Sequence, residues 1–130
     1  MNNKEYVQNA LVTESNNFEA ISSRMADPKN IRLLHAALGL STEAGEIQDQ
    51  LKKSIFYGKS LDTVNLVEEA GDIMWFLAIL ADALGTSFEE IQEKNIAKLK
   101  ARYGAKFSEA AALTRDLDTE RAILEGSKNS

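Results

Sequence analysis

A single proline, Pro28, in a chain of 130 residues with few other turn signals constrains the fold most strongly. With so few breaks and apolar residues recurring at helical spacing, long helices with short connections are the natural reading. The expected fold is all-α: a four-helix-bundle-like core over about residues 4–104 and a C-terminal helical tail over about 105–130. The length fits one domain.

The first helix is expected from Lys4 to Met25, with Val7, Leu11, Phe18, Ile21 and Met25 forming one apolar stripe. Asp27-Pro28-Lys29-Asn30 breaks it, because proline lacks an N–H and restricts the residue before it. A second helix is expected over Asn30–Tyr57, buried along Ile31, Leu34, Leu38, Ile47, Leu51 and Ile55. Gly58 suits its C-terminal cap. A third runs from Asp62 to Leu84 and stops at Gly85. Its centre, Ile73 to Ala81, is apolar on every face, which implies a subunit interface as well as a core. Ser87-Phe88-Glu89-Glu90 is a capping box that opens a fourth helix, closed by Gly104. Beyond Ser108 the pattern is weakly helical. Leu113, Leu117 and Leu124 are expected to dock the tail on a neighbour, and Gly126 to Ser130 to be disordered.

Composition narrows the function. Hydrophobic residues make up 44%, enough for a core, and the net charge of -5 argues against a nucleic-acid surface. Cysteine is absent and histidine occurs once, which excludes disulfides, a Cys nucleophile and a multi-His zinc site. The start of the chain lacks the pattern of a signal peptide, and no apolar run reaches membrane length. A soluble, cytoplasmic protein is the default expectation.

Two carboxylate pairs carry the chemistry: Glu43-x-x-Glu46 and Glu69-x-x-Asp72. Spacing of three puts both members of a pair on one helix face. Acids on helices are usually a solvated face, so one pair alone says little. Here the pair repeats on the next helix, and consecutive helices with a short loop pack antiparallel. Apolar residues flank both pairs. Gly45 and Gly71 sit inside them, at a cost of about 1 kcal/mol each relative to alanine. Close approach of the two backbones is the expected reason. Four carboxylates meeting this way repel unless a cation lies between them, and hard oxygen ligands suit Mg²⁺ or Mn²⁺.

The stretch from Leu38 through Ser41-Thr42-Glu43-Ala44-Gly45-Glu46, followed by Val67-Glu68-Glu69-Ala70-Gly71-Asp72, resembles the MazG-like nucleotide pyrophosphohydrolases of the all-α NTP pyrophosphatase superfamily. The Tyr57-Gly58-Lys59 loop and the apolar helix after Asp72 agree with it. The resemblance covers about residues 30 to 104. The tail, Phe107-Ser108 to Glu120-Arg121, looks like that of short bacterial or phage members.

The resemblance implies hydrolysis of (deoxy)nucleoside triphosphates to monophosphate and pyrophosphate. It implies Mg²⁺ (or Mn²⁺ in its place) bound by Glu43, Glu46, Glu69 and Asp72. Glu46 is the favoured proton acceptor. On the fourth helix Lys98 and Arg102 match a Lys–Arg pair that meets substrate phosphates, and Asn95 matches an Asn beside it. A homodimer or homotetramer is expected, with no nucleic-acid or membrane partner. Alternatives are a sibling specificity (dUTP/dCTP or phosphoribosyl-ATP) and a non-catalytic nucleotide-binding helical oligomer. Glu68 ranks below Glu69 because the spacing to Asp72 selects Glu69. His35 reads as a partly buried, satisfied histidine before it reads as a ligand for phosphate. Trp75 reads as packing before base stacking. Lys52 and Lys53 read equally as phosphate contacts or ordinary helix-end cations.

Overall fold

The computed structural model describes residues 1–126, all of whose regular elements are helices: α1 Asn3–Leu11, α2 Phe18–Met25, α3 Pro28–Tyr57, α4 Thr63–Leu84, α5 Phe88–Tyr103, α6 Glu109–Leu113 and α7 Leu117–Glu125. The all-α expectation holds. Residues 127–130, within the segment expected to be disordered, lie outside the described residues.

The long first helix expected from Lys4 to Met25 is two helices instead. Val12 and Thr13 are β-branched, and Ser15, Asn16 and Asn17 offer side-chain partners that compete with helical hydrogen bonds. The Thr13 amide and hydroxyl both donate to the Ala10 carbonyl. The Asn17 side chain then accepts from the Ala20 amide and starts α2 afresh. The intended stripe is largely exposed: only Ile21 among Val7, Leu11, Phe18, Ile21 and Met25 is half-buried.

The later boundaries match the expected ones closely. Asp27 caps α3 with Pro28 in the first turn, and Gly58 ends it in the left-handed conformation, φ 67°. Asp62 caps α4 by accepting from the Val64 and Asn65 amides. Ser87 caps α5 through the Glu90 amide. The expected capping box is half made, because the Glu90 side chain instead accepts from the Thr86 hydroxyl and pairs with Lys94.

α3 and α4 form an antiparallel hairpin, the most extensive helix contact among the described residues. Its register is readable from pairs that run down one helix as they run up the other. Arg32 bonds Asp82, Gly39 lies against Phe76, and Gln50 bonds Asn65. The contact stripe on α3 includes Ala36, fully buried, and Gly39. Gly39 is a position of close contact, since a Cβ there would overlap the Phe76 ring.

This corrects two expectations. Of the residues expected on the buried side of α3, Ile31, Leu34, Leu38, Leu51 and Ile55 are exposed, and only Ile47 is half-buried. The small residues face α4 because they allow close contact, and this leaves the larger apolar stripe outward. Gly45 and Gly71 are not close-approach positions within the chain, since a Cβ at either would meet open space.

α5 packs on α6 and α7. The tail is tied to α5 by Glu120, 5% exposed, which accepts from Arg102 and from Arg115 of the tail itself. Leu113 and Leu117, expected to dock it, are exposed, and Leu124 is at the margin.

Candidate metal and phosphate site

Glu43 projects from the middle of α3, and Glu69 and Asp72 from the first half of α4. The hairpin register brings them together: one carboxylate oxygen from each lies within 4.8 Å of the other two. Their environments differ. Glu69 is buried at 4% exposure, Glu43 is half-buried and Asp72 is exposed. The cluster is therefore rooted between the helices and opens outward at Asp72.

Like charges at this separation disfavour one another. Burial, the adjoining Glu69 carboxyl and the charges of Glu46, Glu69 and Asp72 all push the Glu43 carboxyl above its ordinary value. A divalent cation relieves the same repulsion, and an all-oxygen donor set fits a hard ion such as Mg²⁺ or Mn²⁺. Glu46 is exposed and near enough to act on Glu43 electrostatically, but it is outside the group of three.

The ambiguity between Glu68 and Glu69 has a geometric answer. Glu69 is buried in the cluster, whereas Glu68 is exposed and only a distant acceptor for Asn65, at 3.4 Å. Sequence reasoning missed Asn65 itself. Its amide donates to Glu69 Oε1 at 2.8 Å, and its carbonyl accepts from Gln50 Nε2 at 2.7 Å. The one signal in the sequence is its place a turn before Glu69.

The basic residues lie elsewhere. Asn95 is exposed on α5 and Lys98 half-buried, in the group formed with the tail rather than in the hairpin. Arg102 makes a two-pronged contact with Glu120, Nε to Oε1 at 2.7 Å and a terminal nitrogen to Oε2 at 2.6 Å. The chain's own fold thus commits Arg102 to a carboxylate and does not bring it to Glu43, Glu69 and Asp72. Lys52 and Lys53 both pair with Asp49 and hold its carboxyl down to about 2, the part of ordinary helix cations. His35 is exposed, not partly buried, and lies edge-on to Phe76 and Trp75 at 5.6 and 6.3 Å. Trp75 is 55% exposed and packs edge-on against Phe76.

Comparison with known proteins gives two matches. Residues 33–107 match the family model of the MazG nucleotide pyrophosphohydrolase domain. The Gene 37 protein of Mycobacterium phage L5 is 34% identical over 74 residues, 54% of this chain and 65% of that protein. The chain thus spans somewhat less than two thirds of that relative. No solved structure matches it.

Proposed function

The chain belongs to the MazG nucleotide pyrophosphohydrolase family, and from that premise we propose that it hydrolyses a (deoxy)nucleoside triphosphate to monophosphate and pyrophosphate with Mg²⁺ as cofactor. The observation that carries this reading is the meeting of Glu43, Glu69 and Asp72 from two helices, oxygens within 4.8 Å. Glu43, Glu69 and Asp72 hold the ion, with Glu46 beside them. Bound there, a divalent ion neutralises phosphate charge and activates water. Glu46, exposed a turn beyond Glu43, takes the proton of the attacking water. Buried Glu69 anchors the set, and exposed Asp72 lies on the side open to substrate.

Lys98 is assigned to the phosphates with Asn95 beside it, and Arg102 joins them by exchanging Glu120 for a phosphate. Because α5 packs on the tail within its own chain, these groups reach the carboxylates across a contact between copies. Self-association is supported by the exposure of Leu34 and Leu38 on α3 and of Val64, Val67, Met74 and Trp75 on α4. Two hairpins pairing through those faces make a four-helix core, as a homodimer or as half of a homotetramer.

The test is turnover of each (d)NTP with Mg²⁺, read as monophosphate and pyrophosphate together. At least one triphosphate should be cleaved at the α–β bond. Asp72→Asn should lower turnover by at least about 100-fold, the scale expected for losing a metal-borne contribution, with helical circular dichroism unchanged. Release of inorganic phosphate without pyrophosphate, or no turnover of any triphosphate with either Mg²⁺ or Mn²⁺, would overturn the proposal.

A further inference from the structure

Glu69 is the most buried acid of the hairpin, and a carboxylate shut away from water needs donors. The donor it finds among the described residues is neutral. Asn65, one turn earlier on α4, donates its side-chain amide to Glu69 Oε1 at 2.8 Å. Its carbonyl is in turn held by Gln50 Nε2 at 2.7 Å, from α3 across the hairpin. The Asn65 backbone amide is fixed as well, donating to the Asp62 cap at 3.0 Å.

The arrangement has a sense of direction. An amide has a donor end and an acceptor end, and the two are not interchangeable. The carboxylate accepts from the Asn65 NH₂, which leaves the Asn65 oxygen facing the Gln50 NH₂. Reversing Asn65 would set oxygen against the carboxylate and NH₂ against NH₂. Glu69, which can only accept, thus sets the orientation of Asn65, and Gln50 braces the oxygen end of that amide in place. A Lys or Arg in place of Asn65 would also hold the carboxylate, but its positive charge would compete with a cation for it. An amide orients without discharging.

We propose that Asn65, braced by Gln50, is a positioning residue that fixes the Glu69 carboxylate in the cluster with Glu43 and Asp72 before a divalent cation binds. The inference rests on the metal reading given above and adds two residues to it. Outer partners of this kind tune metal affinity by about 10- to 100-fold. Neither Asn65 nor Gln50 touches the ion or the substrate in this scheme; both act through Glu69.

Mn²⁺ binding to the full chain, followed by electron paramagnetic resonance of the free ion without any nucleotide, tests this directly. Asn65→Leu should raise the Mn²⁺ Kd by about 10-fold or more, with unchanged helical content. Gln50→Leu should weaken binding in the same direction, less severely. The telling measurement is the double variant. If Gln50 acts through Asn65, adding Gln50→Leu to Asn65→Leu changes the Kd no further, whereas independent structural losses would add. Native-like Mn²⁺ binding by Asn65→Leu, or additive losses in the double variant, overturns the relay and leaves the metal site standing. Should Asn65→Leu fail to fold, native-like binding by Gln50→Leu overturns the relay by itself. No Mn²⁺ binding by the native chain overturns the metal reading, and the relay with it.

Discussion

At the scale of single residues, the two most buried acids play opposite parts. Glu69 is supported by a neutral amide and faces other carboxylates, an arrangement suited to receiving a cation. Glu120 already has its cations. Arg102 from α5 and Arg115 from the turn before α7 hold its carboxyl down at about 2, well below the ordinary 4.5. Tail docking should therefore depend on acid in a definite direction. An acid whose folded pKa is depressed contributes stability that is fully present above its unfolded pKa and is lost as pH falls toward the folded one. Amide hydrogen exchange of α7 should quicken as pH is lowered from about 4.5 toward 2, after correction for intrinsic rates. Asp116, near Glu120, is likewise held below its ordinary value by hydrogen bonds from Thr119, so Glu120→Gln is the necessary comparison. That variant should flatten most of the pH response and lower Tm by roughly 5 °C at neutral pH, as expected for loss of a charge-assisted contact in a small domain. An α7 whose protection ignores acid would contradict the assignment.

At the scale of elements, the hairpin is set by small residues more than by large ones. Gly39 and Ala36 let α3 lie against α4, and Phe76 fills the space a Gly39 side chain would take. Gly39→Ala should destabilise the chain by about 1–3 kcal/mol in chemical denaturation, the usual cost of overpacking. Gly45→Ala and Gly71→Ala should do the opposite, each adding up to about 1 kcal/mol, since their Cβ atoms meet nothing and alanine favours the helix. Loss of stability in both would mean that a second copy lies against these positions. Much of the carboxylate site was legible at this scale, because three-residue spacing on two consecutive helices predicts a meeting of Glu43 with Glu69 and Asp72. The role of the glycines was not, because spacing reveals which residues share a face but not which face is turned inward. The break between α1 and α2 was visible in Thr13, Ser15, Asn16 and Asn17, but the apolar period running through it masked the signal.

At the scale of the whole molecule, the large apolar residues of the hairpin lie outside. Leu38 is 59% exposed and Val67 74%, beyond what scattered surface residues explain when they recur along both helices. Sedimentation equilibrium should give a dimer or tetramer, and Trp75→Glu, which puts a charge into the α4 face, should shift it toward a single chain. Turnover should fall with it if α5 reaches the carboxylates across the contact between copies. A native chain that sediments as a monomer while cleaving triphosphate would refute that arrangement.

By itself the sequence determined what depends on neighbours along the chain. Helical class, the ends of α3 and α4 at Asp27, Gly58, Asp62 and Gly85, and the shared faces of the carboxylate pairs follow from local backbone chemistry. The acidic, all-oxygen character of the candidate site is likewise written in residue type and spacing. Tertiary structure alone decided what depends on which surfaces meet. It left Glu46 at the edge, supplied Asn65 and Gln50, gave Arg102 to Glu120, and buried the Glu69 that spacing had already selected over Glu68. The physical reason is that a helix presents several faces of similar hydrophobicity, and only side-chain volume against a partner, as at Gly39 and Phe76, selects the one that becomes the inside.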